Sequence, residues 1–128
     1  MSPYDGYVFV TPEYNHSTTP ALKNALDYLF HEWNDKACGF ISFGLQGGVR
    51  AAEHLRQITG ELAMADVRTS VALSLFHDFN QMRQFAPDEH HTATLHRMLD
   101  QLTNWATALR AIRTTENPAT AQPLASGL

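Results

Sequence analysis

Two short segments concentrate the residues with chemical potential. Thr11-Pro12-Glu13-Tyr14-Asn15-His16-Ser17 brings a carboxylate, a phenol, a carboxamide, an imidazole and a hydroxyl together. Ser42-Phe43-Gly44-Leu45-Gln46-Gly47-Gly48-Val49-Arg50 combines three glycines with a following cation. Elsewhere the chemistry thins out. His90-His91 with His96, and His77 beside Asp78, lie near Asp88 and Glu89. Adjacent histidines on a helix diverge by roughly 100°, however. No His-x-x-x-His or Cys/His zinc spacing occurs, and His31 and His54 stand alone, so a metal centre is not expected. The single cysteine, Cys38, reads as a small core hydrophobe rather than a nucleophile. With no Gly-x-Ser-x-Gly elbow, a Ser-His-Asp hydrolase has no support.

The elements around these segments alternate. Tyr7-Val8-Phe9-Val10 is a continuous apolar run that Pro12 must end, as in a parallel strand covered on both faces. Thr19 then Pro20 reads as an N-cap followed by proline at the first helical position. Ala21, Leu22, Ala25, Leu26, Leu29 and Phe30 recur at helical spacing through Trp33, and Asn34-Asp35 closes that helix. Gly39–Phe43 gives a second strand, broken by Gly44. Val49, Ala52, Leu55, Ile58 and Leu62 mark a second helix, and Val67–Leu75 a third strand. Asp88 is placed to cap a long last helix with Leu95, Met98, Leu99, Leu102, Trp105, Leu109 and Ile112 on one stripe. The order β-α-β-α-β-α argues a parallel sheet with helices on its faces. Both chemical segments then fall at strand-to-helix junctions, where open α/β sheets collect ligands.

Composition narrows the class further. At 128 residues, 44% hydrophobic and 17% charged, the chain reads as one packed domain over 1–113 with a flexible tail over 114–128. A net charge of −4 without a Lys/Arg cluster excludes a nucleic-acid surface. No apolar run reaches the roughly 20 residues that span a bilayer, and Met-Ser-Pro-Tyr-Asp-Gly lacks a signal-peptide layout. With one cysteine, the expected compartment is the cytoplasm.

Thr-Pro-Glu-Tyr-Asn-His-Ser followed by Pro20-Ala21-Leu22-Lys23-Asn24-Ala25-Leu26-Asp27 resembles the signature of the NAD(P)H-dependent FMN reductases. Ser-Phe-Gly-x-x-Gly-Gly-x-Arg-Ala is similar to that family's next flavin-side loop. Order and spacing agree, and the likeness fades beyond about Phe79. The resemblance implies a flavodoxin-like α/β fold, bound FMN and NAD(P)H as reductant. It implies a small acceptor such as a flavin or quinone, and a homo-oligomer with the helix from Pro20 to Trp33 at its interface. By resemblance, Pro12, Glu13, Tyr14 and Asn15 pass along one edge and face of the flavin ring. Ser42, Gly44, Gly47 and Gly48 line its other side, and Arg50 supports an anionic group. The physics suits this, since amides of a tight loop read the donors and acceptors of a flat ring edge and glycines allow close approach. Of the aromatics, Trp33, Tyr14 and Phe76 are placed for ring stacking.

The family's opening strand and its Gly-Ser-x-Arg-x-x-Ser loop for the FMN phosphate would precede Tyr4. No Gly-rich phosphate loop occurs elsewhere, since Gly60 and Gly127 are isolated. Three explanations stand side by side: a reductase that has lost this segment, a partner chain that supplies it, or a short paralogue with a different role. FMN binding is expected to weaken without it, and Tyr7–Val10 to form a bare hydrophobic edge. The alternative is a flavin-free binding or assembly subunit on the same scaffold.

Overall fold

The structure, a computed structural model, describes residues 3–115. The chain runs β1 (Gly6–Pro12), α1 (Pro20–Asp27), β2 (Ala37–Gly44), α2 (Val49–Glu61), β3 (Ala65–Asp66) and β4 (Val71–Ser74). It ends with β5 (Phe79–Asn80), β6 (Gln84–Phe85) and α3 (His90–Thr115). Every pairing in the main sheet is parallel. β2 is central, with β1 beside it in unbroken register from Gly6↔Ala37 to Pro12↔Phe43. Both β3 and β4 lie on the other side of β2.

Period-two alternation sends successive side chains to opposite layers. Phe9, Cys38 and Phe40 face α1 and α2, packing with Leu26, Leu55 and Met64. Val8, Ala37 and Ile41 face α3, where Met98 and Leu102 are buried. Burial raises the Cys38 thiol pKa to about 12, which makes it an inert core group, as expected.

Three elements differ from the sequence reading. The first helix stops at Asp27, short of Trp33. A continued helix would give the Leu26 carbonyl to the Phe30 N–H. Instead the Trp33 indole donates to it at 3.0 Å, with its ring edge-on to Tyr7 and Phe9. The third strand is two pieces. Between the pairs Cys38↔Asp66 and Ile41↔Val71, β2 advances three residues and its neighbour five. The surplus bulges because its backbone groups go to side chains. Arg56 Nη2 donates to Arg68 O (3.0 Å), and Thr69 N–H donates to Gln101 Oε1 (3.0 Å). The last helix is capped by Asp88 Oδ1, which accepts from His90 N–H at 3.0 Å. Its buried stripe is Leu95-Met98-Leu102-Ala106-Leu109, while Leu99, Trp105 and Ile112 are exposed. It extends to Thr115, and residues 116–128 of the expected tail lie outside the described residues.

The β5–β6 hairpin was not expected. Its tip residues Gln81 and Met82 take positive φ without a glycine to announce them.

Candidate functional site

The first loop extends the sheet before it turns. Glu13 N–H donates to Phe43 O at 2.9 Å, one step beyond the Pro12↔Phe43 pair. Tyr14 and Ser17 then exchange backbone bonds of 2.9 and 3.0 Å. Asn15 and His16 form the tip at φ +49° and +71°, a region where both residue types are enriched among non-glycines. The side chains of Tyr14, Asn15 and His16 are exposed. Behind the tip, the Thr11 and Thr18 hydroxyls share a buried bond of 2.8 Å, and His54 Nδ1 lies 2.9 Å from Ser17 Oγ. A groove of about 380 Å³ opens there between α1 and α2, lined in part by Thr19, Lys23, His54 and Ile58. It adjoins the turn and takes no residue from the glycine loop.

The second loop is folded back on its own strand. Gly44 O accepts from both Gly47 N–H (3.1 Å) and Leu75 N–H (2.9 Å). Gly47 and Gly48 sit at φ +75° and +70°. A Cβ on Gly48 would fall 2.7 Å from Phe43 N, and one on Gly47 3.0 Å from Ala72 Cβ on β4. Only glycine satisfies both the dihedrals and the space. Ser42 Oγ, buried, donates to Gly47 O at 2.7 Å.

One ion pair joins the loops. Arg50 Nε donates to Glu13 Oε1 at 2.6 Å, and the Arg50 backbone N–H donates to Oε2 at 3.2 Å. The carboxylate side chain is 7% exposed and the guanidinium side chain 41%. Glu13 thus caps the first turn of α2 from a different strand, where helix N–H groups lack partners and negative charge is favoured.

All nine residues expected at the site gather at the carboxyl ends of β1 and β2, in unlike positions. Pro12 and Glu13 are partly buried at the sheet end, and Tyr14 and Asn15 present exposed side chains. Ser42, Gly44, Gly47 and Gly48 are buried and shape the loop. The Ser42 hydroxyl is committed within it, and the Arg50 charge is faced by Glu13. Of the stacking candidates, Trp33 belongs to the core, whereas Phe76 is 60% exposed just beyond β4.

A flavin edge fits these residues on one count in particular. The backbone N–H groups of Leu45, Gln46 and Gly48 donate to no acceptor among the described residues. Gly48 is buried and, as the N-cap residue of α2, brings no side chain to cap it. Donors spared in this way, at a helix start, suit a polar ring edge.

A model of the family described as NADPH-dependent FMN reductase matches residues 1–78, more than half of the chain. The chain belongs to this family. An NAD(P)H-dependent FMN reductase of Schizosaccharomyces pombe is 47% identical over 74 residues, 58% of this chain and 37% of that one. A quinone reductase of Escherichia coli K12 is 45% identical over 60 residues, 42% of this chain and 32% of that one. The chain spans about a third of the length of the curated relatives it matches. The fold resembles FerB, a flavoenzyme NAD(P)H:(acceptor) oxidoreductase from Paracoccus denitrificans, with TM-score 0.62 and 22% identity. That match covers 81% of this chain and 62% of the other. The flavodoxin-like α/β fold of the FMN reductases is thereby established for this chain.

The sequence reading weighed Asp78 only beside His77 in a metal cluster it did not expect, and missed its anchoring role. Its side chain is 3% exposed and sits beyond β4, accepting from Ser74 N–H (2.8 Å), Asp88 N–H (3.1 Å) and His91 Nε2 (2.8 Å). Burial pushes its pKa up. The two backbone N–H groups and the imidazole outweigh that and hold it below the ordinary carboxylate value. Nothing in the local sequence separates Asp78 from a solvated loop aspartate. His90 and His91, weighed above as metal ligands, are each engaged by a carboxylate instead, Asp88 and Asp78 respectively.

Proposed function

We propose that this chain carries the ring side of an FMN site and acts in an NAD(P)H-dependent oxidoreductase that reduces a flavin, quinone or similar small acceptor. The observation that carries the reading is the pair of loops locked by Glu13 and Arg50, with the Leu45, Gln46 and Gly48 amides left free beside them. FMN, when bound, supplies the hydride chemistry, and the protein supplies position and electrostatics. In this reading the spared amides bind the polar edge of the ring. Glu13 and Arg50 hold the two loops at a fixed separation, and Gly47 and Gly48 let the backbone come close. The exposed faces of Tyr14 and Asn15 orient the ring from the other loop.

A homo-oligomer is part of this reading. Tyr28, Leu29 and Phe30, just beyond α1, are exposed and support an interface there. The outer edge of β1, unpaired among the described residues, supports strand pairing. Among the described residues, no helix is long and apolar enough to cross a membrane.

Titration of the chain with FMN, followed by quenching of ring fluorescence, tests the reading. Saturable binding followed by FMN-dependent NAD(P)H oxidation is expected. No quenching at high FMN would sink the reductase reading for this polypeptide alone and leave a truncated reductase or a flavin-free assembly subunit.

A further inference from the structure

The Gly44–Gly48 loop rests on β4 and on the residues that follow it. Ala72 Cβ fills the space beneath Gly47, and Leu75 N–H is bonded to Gly44 O. Ser74 Oγ lies 3.4 Å from Leu45 O as a donor and accepts from Phe76 N–H at 3.2 Å. Whatever sets Ser74–Phe76 therefore sets one wall of the glycine loop.

That segment has few apolar anchors of its own, since Phe76 and His77 are exposed. It is held by Asp78. One carboxylate oxygen takes Ser74 N–H, and the other takes Asp88 N–H and His91 Nε2. The Asp78 backbone adds two bonds of 2.8 Å, N–H to Ser74 O and C=O from Ala86 N–H. A single buried side chain thus ties the end of β4 to the start of α3 across the whole β5–β6 excursion. A buried carboxylate with both oxygens engaged fixes geometry, because displacement strands a charge.

We infer that Asp78, with His91 behind it, is a positioning residue for the flavin-side loop, acting through Ser74 and Leu75 on Gly44–Gly48. The inference rests on the flavin reading for its consequence, though not for the coupling itself. Asp78→Asn keeps the size but turns an amide donor toward either Ser74 N–H or the Asp88/His91 donors.

Amide hydrogen exchange on the flavin-free chain tests the coupling, with FMN titration of the same samples alongside. In Asp78→Asn, exchange at Gly47, Leu75 and Phe76 is expected to rise at least tenfold, with Leu55 and Met98 unchanged. FMN affinity is expected to fall about tenfold. His91→Phe should move the same amides less, and His91→Gln, which retains a donor, should restore them to within twofold of the unsubstituted chain. Acceleration confined to residues 86–91, with Gly47 and Leu75 unmoved, would overturn the inference. So would a uniform increase that includes Leu55 and Met98. If the unsubstituted chain takes up no FMN, the flavin reading fails, while the exchange comparison still decides the coupling. Should Asp78→Asn not fold, the two His91 variants decide the coupling by the same amides.

Discussion

Two loops leave the carboxyl ends of neighbouring strands and are held by opposite means. After β2, the Gly44–Gly48 loop is held by backbone shape, with successive left-handed glycines pressed against Phe43 and Ala72. After β4, the chain from Ser74 to Asp88 is held by one side chain, the buried Asp78 carboxylate. The first depends on the absence of atoms and the second on the presence of a charge. They should therefore fail differently, the first through steric strain at any pH and the second through lost hydrogen bonds as the pH falls.

The largest effect is expected at Gly48. Gly48→Ala puts a Cβ within 2.7 Å of Phe43 N and 2.9 Å of Phe43 O, at φ +70°. Backbone atoms cannot swing aside as a flexible side chain would. Dihedral strain and overpacking together should cost about 4 kcal/mol, read from urea unfolding. A loss under 1 kcal/mol would show that the loop relaxes freely, and the contrast between the loops would collapse.

Next comes Asp78→Ala, which strands two backbone donors and an imidazole and should cost on the order of 3 kcal/mol near neutral pH. Here the sign of the pH dependence is informative. The folded carboxyl is held below its ordinary 3.8, so its contribution is complete above that value. It is lost as the pH falls through the lower folded value. The gap between the parent and Asp78→Ala should thus narrow below about pH 4, whereas the Gly48→Ala gap should persist until the fold itself is lost. Unfolding midpoints at pH 6 and pH 3 make the comparison, and a gap at Asp78 that ignores pH would refute the charge-based account.

Glu13 sits between these extremes, since its carboxylate is buried while much of its partner is in solvent. Glu13→Gln should cost about 1 kcal/mol. A double-mutant cycle with Arg50→Met isolates the pair itself, and an interaction energy near zero would remove Glu13 as the tie between the loops.

The difference between the loops also explains what was legible in the sequence. Gly47-Gly48 before a helical pattern announces a special backbone, and Thr19-Pro20 announces a helix start. Both stand where the sequence placed them. The nine residues proposed for the site came from the family resemblance of the two loops; periodicity adds only that both loops leave strand ends, where this fold brings loops together. Asp78 carried no such mark, since its importance comes from Asp88 and His91 folding back over it. The same holds for Trp33, whose indole ends α1 by taking the Leu26 carbonyl, and for the bulge before β4, which Arg56 and Gln101 create from other elements. Local pattern reads backbone-determined features well. It is blind where a distant side chain competes for a backbone group.

The smallest predicted effect has the opposite sign and uses the same substitution as the largest. Gly60 lies in the last turn of α2 with nothing within 4 Å of where a Cβ would stand, and its φ is not in the left-handed region. Alanine there meets no clash and reduces the freedom of the unfolded chain, so Gly60→Ala should stabilise by about 0.5–1 kcal/mol. Set against Gly48→Ala, this separates the two roles a glycine can have, one compelled by conformation and the other a removable flaw in a helix. If Gly60→Ala is destabilising under the same urea titration, its helix end is held by something other than the open surface around it. The size of the Gly48 penalty could then no longer be assigned to the loop alone.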